Sequence, residues 1–328
     1  METDAPIYAG IDIGTLTLRL LIARVSEGRL HALDADRRLV RLGEGLHPTH
    51  RLYEAPRLHE APRLQAAPMA RAIETLVEWM PRIANAGVCD VVGVATSAVR
   101  DAANRDEFLA EVKRRTGWDV AVLSGDEEAR LSLLGIRSGL PPDVTQSVAL
   151  DIGGGSTEFI KADRDEPPAM RSVNEGVVRL TESCLRRDPL TPNDVAAART
   201  RIRTHLKGVQ ETLGSVAGYH LVGTAGTITT LAAMDQRLDA YDPARIHNYR
   251  LSLDAVRRIL QDLLSRTHAQ RRALPGLEPG REDLIVAGTL ILLEAMERLG
   301  FMECLVSEYG LREGILLNRR QESQGIGA

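Results

Sequence analysis

Apolar and polar positions alternate, then cluster, in a regular order along the chain. "IYAGIDIGT" (7–15) and "LTLRLLIARV" (16–25) are rich in β-branched and apolar residues, and "RLHALDADRRLVRLG" (29–43) continues the pattern after a turn at Ser26–Gly28. Three such runs in succession predict an antiparallel meander. From about 68 to 84 the period changes. Met69, Ile73, Leu76, Val77, Met80 and Ile83 fall on one face of a helix, with Pro81 positioned to kink or shorten it. "VVGVATS" (91–97) reads as a short buried strand, "RDEFLAEVKRRT" (105–116) as a helix opened by an Asn104/Glu107 capping pair and ended by Gly117, and "DVAVLSG" (119–125) as the next strand. The same order then recurs. "SVALDIGGGSTEFIKAD" (147–163) is strand, glycine turn, strand; helical patterns follow at about 192–213, 226–234, 254–266 and 282–299, with strands "YHLVGT" and "CLVSEYG" among them and a closing helix "LREGILLNRR".

The recurrence extends to the residues. "AGIDIGTLTLRLLI" and "VALDIGGGSTEFI" both read apolar strand, Asp-Ile-Gly, a small or hydroxyl-rich turn, second strand. Two copies of one supersecondary unit predict two similar α/β domains with a ligand in the cleft between them. A run of three glycines weakens a strand, so the backbone there must turn tightly or approach a partner closely. Converging N–H groups of such a turn bind phosphate oxygens, and hydroxyls such as Ser156 and Thr157 add donors. An acid at the strand end, Asp12 or Asp151, acts on phosphate through Mg²⁺. A tight hairpin whose Asp caps backbone groups is the competing reading; two copies in one chain count against it. A third turn, "LVGTAGTITTLA" (221–232), runs from a strand through Gly223, Thr224, Gly226 and Thr227 into a helix N-terminus, which is an anion-binding geometry.

Composition narrows the field. The 328 residues suffice for two cores, and 44% hydrophobic with 26% charged residues is ordinary for a globular protein. A net charge of −4 gives no global basic field for nucleic acid, and 3% aromatics argue against a base-stacking surface. The longest apolar stretch, around Leu284–Met296, carries Glu294 and is too short to span a bilayer, and the N-terminus lacks a secretory pattern, so a cytoplasmic location is expected, with no nucleic-acid or membrane partner. Cys89, Cys184 and Cys304 suggest neither a disulfide framework nor a zinc site. "YEAPRLHEAPRLQAAP" (53–68) reads as a Pro-punctuated repeat in a surface loop.

With these turns in view, the chain resembles the acetate/sugar kinase–Hsp70–actin superfamily, and within it the Ppx/GppA family of exopolyphosphatases and guanosine pentaphosphate phosphohydrolases. The matching stretches run in family order over most of residues 7–318: "DIGTLTLRL", "VATSAVRDAANRDEFL", "LSGDEEARLSLLG", "LDIGGGSTEFI", "GVVRLTE", "VGTAGTITTLA", "GREDLIVAGTLILLEAM" and "VSEYGLREGIL". The resemblance implies an α/β fold of two actin-like (ribonuclease H-like) domains, 1–125 and 126–309, with a C-terminal helix within 310–328 returning to the first. It also implies the short form of the family, without the extra helical domains that help longer members hold polyphosphate.

Site roles follow from the same resemblance. Glu128, before Ala-Arg in "SGDEEAR", matches the general base; from the residues alone "DEEARL" reads as an acidic first helical turn favoured by the dipole, with Glu127 an alternative carboxylate. Asp151 and Glu158 match Mg²⁺-site residues, with Asp12 contributing and Mn²⁺ as an alternative ion. Phosphate oxygens would meet the backbone at Gly14, Thr15, Gly153, Gly154, Gly155 and Ser156; Arg100 matches an arginine near the phosphates, and Arg19 also matches, though a strand arginine can simply pair with an acid. Two positions depart from the pattern: Leu16 stands where an Asn is usual and Ala225 where a hydroxyl is usual, each removing a polar contact from the site. The implied reaction is release of terminal phosphate from inorganic polyphosphate, or of the 5′ γ-phosphate from guanosine pentaphosphate. A kinase of the same superfamily and a catalytically weak sensor of polyphosphate or nucleotide are the rival readings. A homodimer is expected from the resemblance alone.

Overall fold

The structure is a computed structural model, and it describes residues 5–26, 28–46, 61–163 and 166–325. The chain forms two compact units, residues 1–138 with 311–328, and residues 139–310. Of the proline-punctuated repeat, residues 53–60 lie outside the described residues.

Unit 1 opens with the meander β1 (Ile7–Ile13), β2 (Thr17–Ser26) and β3 (Arg29–Leu39). It continues through α1 (Ala66–Asn85), β4 (Asp90–Ala95), α2 (Ser97–Asp101), α3 (Arg105–Thr116), β5 (Val120–Val122) and α4 (Gly125–Gly139). The sheet order is β3-β2-β1-β4-β5, with β1, β2 and β3 antiparallel in sequence and β4 and β5 parallel to β1. Period-2 alternation along β1 and β2 gives the sheet two apolar faces. Ile11, Ile13, Leu18, Leu20 and Ile22 pack with α1 and α3 residues such as Leu76, Trp79 and Phe108. Tyr8, Leu21, Ala23 and Val94 point the other way.

Unit 2 repeats the plan. Its elements are β6 (Ser147–Ile152), β7 (Thr157–Ala162), β8 (Ala169–Val173), α5 (Val177–Cys184), α6 (Pro192–Leu213), β9 (His220–Thr224), α7 (Ala225–Asp235), α8 (Pro243–Ile246), β10 (Arg250–Ser252), α9 (Leu253–Leu264), α10 (His268–Arg271), α11 (Ile285–Leu299) and β11 (Glu303–Val306). The order β8-β7-β6-β9-β11 has the strand directions of the unit 1 sheet, and β10 adds an antiparallel edge. Both units therefore have the α/β, actin-like (ribonuclease H-like) strand order that the repeated Asp-Ile-Gly hairpin foretells.

The last helix, α12 (Leu311–Ser323), belongs to unit 1, where Leu311, Ile315, Leu316 and Leu317 pack with Tyr8, Leu21 and Val25. The boundary falls at 138 rather than at the expected 125. The reason is a close helix approach. A Cβ on Gly314 would lie 1.8 Å from the Leu131 carbonyl oxygen, so α4 and α12 meet backbone to backbone and Leu131 joins the α12 cluster.

Local chemistry also differs from expectation at α3. Asn104 does occupy the N-cap, but its side chain makes no cap hydrogen bond. Instead it bonds both backbone groups of Leu64, accepting from its N–H at 2.8 Å and donating to its carbonyl at 3.1 Å. Glu107 pairs with Arg63. A tertiary partner with two unsatisfied backbone groups outcompetes the local cap.

Candidate active site

The two Asp-Ile-Gly turns have the same backbone geometry. Gly14 N–H donates to Thr17 O at 3.1 Å, and Gly153 N–H to Ser156 O at 3.0 Å. These amides close the turns, so the phosphate contacts expected of Gly14 and Gly153 would have to come from their neighbours. In unit 2 the carbonyls of the three glycines are held by α5. Gly153 O and Gly154 O accept from Val177 N and Val178 N at 3.0 and 2.9 Å, and Gly155 O accepts from Arg179 Nε at 3.2 Å. A Cβ on Gly176 would fall 2.5 Å from Gly154 O, which is why glycine precedes the helix. Among the described residues nothing accepts the N–H groups of Gly154, Gly155 and Ser156. With these carbonyls committed, three successive amides remain that an anion could accept from.

Across the same hairpin, Asp151 stands directly opposite Glu158, and Glu158 opposite Ser172, which donates to Glu158 Oε1 at 2.8 Å. Glu158 is buried and Asp151 half-buried. Facing carboxylates repel unless a cation sits with them. Hard oxygen donors in this number suit Mg²⁺, which takes one or two carboxylates and completes its shell with water and phosphate. Among the described residues no group of three or more His, Cys, Asp or Glu side chains forms a metal cage. Unit 1 has a different pair. Asp12 faces Arg19, with Oδ2 3.8 Å from Nη1, so the acid there is matched by a fixed cation.

The first turn is wrapped by the segment after β3: Val40 N and Arg41 N donate to Leu16 O, and Gly43 N to Thr15 O. Thr15 Oγ1 accepts from Ala98 N at 3.2 Å and so caps α2. Leu16 is buried, with 5% exposure, so its side chain fills protein interior.

Glu127 and Glu128 separate cleanly. Glu127 forms a capping box with Ser124: its N–H donates to Ser124 Oγ at 3.2 Å while its carboxylate accepts from Ser124 Oγ at 2.7 Å and Ser124 N at 2.9 Å. The Ser124 hydroxyl, with the Ser124 amide, holds the Glu127 carboxyl below its usual range. Glu128 is buried at 8% exposure and takes Arg100 Nη1 at 2.9 Å; the same nitrogen donates to Leu123 O at 2.8 Å. The two adjacent acids thus face different surroundings, one stabilising the helix start, the other fixed against a guanidinium. The S-x-x-E spacing of Ser124 and Glu127 is a sequence signal for the cap.

At the third turn, α7 begins without a side-chain cap, and no backbone acceptor takes the N–H groups of Ala225, Gly226 and Thr227 among the described residues. Ala225 has φ +69°, a left-handed conformation costly for a residue with a Cβ and typical of functional turns. Gly226 makes room for a residue the motif reading missed: a Cβ there would fall 2.2 Å from Nη2 of Arg281, which is buried and ion-paired with Glu278. Thr224 and Thr227 hydroxyls point elsewhere. Thr224 Oγ1 donates to Tyr309 O at 3.0 Å, and Thr227 packs on Gly288 of α11. Gly223 is a packing glycine, its Cβ position filled by Ile228 and Cys304.

Each unit therefore brings acids and amide-rich turns to the carboxyl ends of its first strands, an arrangement suited to binding and cleaving phosphoanhydrides. The Ppx/GppA phosphatase family matches residues 21–322. Exopolyphosphatase 2 of Mycobacterium tuberculosis is 36% identical over 323 residues, covering 94% of this chain and 97% of that protein. The crystal structure of the Aquifex aeolicus member of the Ppx/GppA family superposes with a TM-score of 0.79 at 30% identity, covering 97% and 98% of the two chains. An exopolyphosphatase from Cytophaga hutchinsonii superposes at 0.84 with 27% identity, covering 98% and 99%. The protein is a phosphoanhydride hydrolase, and it belongs to the Ppx/GppA phosphatase family. Among the described residues no helix is long and apolar enough to cross a membrane.

Proposed function

We propose that the chain releases terminal phosphate from inorganic polyphosphate, with Mg²⁺ held through Asp151 and Glu158 and Glu128 as general base. The observation that carries this reading is the glycine turn after β6, where the Gly153, Gly154 and Gly155 carbonyls are committed to α5 while three amides stay open beside two facing carboxylates. Mg²⁺ would neutralise phosphate oxygens there. The amides of Gly154, Gly155 and Ser156 orient the terminal phosphate, and those at the start of α7 offer a second set of donors. Glu128, held in place by Arg100, accepts the proton of the attacking water.

The test is phosphate release from polyphosphates of several lengths, guanosine pentaphosphate and ATP, side by side, with and without chelator. Polyphosphate should be the preferred substrate, and activity should return with Mg²⁺ or Mn²⁺. Turnover in excess chelator would refute the metal role, and preference for pentaphosphate would move the substrate. Glu128→Gln should lose about a hundredfold or more in rate while still binding polyphosphate. Glu127→Gln should change the rate little and keep its cap, because a glutamine oxygen still accepts from Ser124. Equal modest rate losses in both would remove Glu128 from the mechanism.

A further inference from the structure

We infer that His247 is a positioning residue for the third glycine turn and acts on Thr224 through the 307–310 segment; this rests on the hydrolase reading above. His247 uses both ring nitrogens on backbone. Nε2 donates to Gly139 O at 2.9 Å, and Nδ1 accepts from Glu308 N at 3.3 Å, which fixes the neutral Nε2–H tautomer. Its ring stacks on Tyr309, with centroids 4.8 Å apart and planes 15° from parallel. Gly139 is the first residue of unit 2 and Gly310 the last, so one imidazole ties the chain's entry into the unit to the segment by which it leaves.

The tie reaches the site in one further step. Tyr309 O accepts the Thr224 hydroxyl at 3.0 Å, and a Cβ on Gly310 would lie 3.1 Å from Thr224 Oγ1. Thr224 is the N-cap residue of α7 and stands opposite Asp151 in the sheet. Its hydroxyl hydrogen is committed to Tyr309, which ties the residue that opens α7 to the 307–310 segment. Where Tyr309 sits therefore decides where the α7 amides point. Gly139 leaves no slack: a Cβ there would meet Tyr309 Cδ2 at 2.6 Å and His247 Cε1 at 2.9 Å.

Three substitutions separate positioning from packing. His247→Phe keeps the ring on Tyr309 and removes both hydrogen bonds; His247→Asn keeps an acceptor near the Nδ1 place; His247→Gln keeps a donor near the Nε2 place. His247→Phe should lower kcat for polyphosphate about tenfold or more with KM nearly unchanged, because small misplacement of a site costs rate before binding. Asn and Gln should each recover part of that loss. Hydrogen exchange of the 221–228 amides gives a readout independent of turnover: it should accelerate in the Phe variant and less in the other two. Inactive wild-type protein would refute the substrate reading, while the exchange order would still decide the role of His247. Unchanged exchange at 221–228 in His247→Phe, or equal rate loss in all three variants, would overturn the proposal.

Discussion

The hairpins β1–β2 and β6–β7 use one backbone plan with opposite electrostatics. Both carry an acid seven residues before its cross-strand partner, both close the turn with a glycine amide, and both have their turn carbonyls held by a following segment. In unit 1 that segment is the loop after β3; in unit 2 it is the start of α5. Across the sheet, the row in unit 1 reads Arg37, Arg19, Asp12, Val94, and in unit 2 Ser172, Glu158, Asp151, Thr224. Unit 1 balances its acid internally and adds cationic donors suited to an anion. Unit 2 sets two carboxylates face to face, an arrangement that a bound cation relieves. On one shared frame, the charge at the seventh position alone decides whether the acid meets a cation or a second acid.

The largest effect should come from changing that position. Glu158→Gln should lower phosphate release by about a hundredfold or more and raise the Mg²⁺ concentration needed for half-maximal rate. Its melting temperature should hold or rise, since the like-charge pair is relieved. Arg19→Gln should have the opposite stability sign, because Asp12 loses its matching charge, and a smaller rate loss of about tenfold. Melting curves and magnesium titrations of the two variants check both signs. Loss of stability in Glu158→Gln would show that the carboxylate pair is a structural network and not a cation seat.

Much of this was legible from residues. The repeated Asp-Ile-Gly unit, the glycine triplet and the Gly-Thr-Ala-Gly-Thr turn placed the hairpins and α7, because strand pairing and turn closure are local. What escaped is long-range. The commitment of the Gly153–Gly155 carbonyls to α5 depends on chain more than twenty residues on, and Arg281 reaches Gly226 from fifty-five residues away. Asn104 fits a capping pattern with its neighbours, yet two backbone groups of Leu64 take its side chain. The boundary near 138 depends on a helix–helix approach at Gly314 that no local pattern announces.

A middle-sized effect is expected at Leu16. The sequence alone casts it as a lost polar contact, but the side chain is buried with the turn around it. Leu16→Asn should destabilise the protein by about 1–3 kcal/mol, by burying an amide in place of an apolar group. Chemical denaturation measures this directly. A gain in rate at unchanged stability would return the position to the substrate side of the turn.

The smallest effect concerns the third strands of the two sheets. In unit 1, β3 is clamped to α1: Arg82 Nη2 lies 2.7 Å from Asp34 Oδ1, Arg82 Nη1 2.6 Å from Asp36 Oδ2, and Trp79 Nε1 donates to Asp36 Oδ2 at 3.0 Å. In unit 2, β8 instead lays Arg171 over Gly208 of α6. The hydrogen bond from Arg82 holds the Asp34 carboxyl below its ordinary value. For Asp36, burial pushes upward, but the hydrogen bonds of Trp79 and of the Arg37 amide outweigh it, so its net shift is also downward. A carboxyl with a depressed folded-state pKa contributes stability in full above its unfolded value and loses it as pH falls through the folded one. The window therefore opens just below the unperturbed value of 3.8. The Arg82 and Asp34 side chains are each about a third exposed, so solvent screens the pair and its worth is about 1 kcal/mol or less. Arg82→Met should cost that much at neutral pH, and the gap from wild type should close as pH falls below the carboxylate range. Amide exchange should report the loss in β3 and leave β8 unchanged. A gap that stays constant with pH would mean that the charge of the two carboxylates does not anchor the strand.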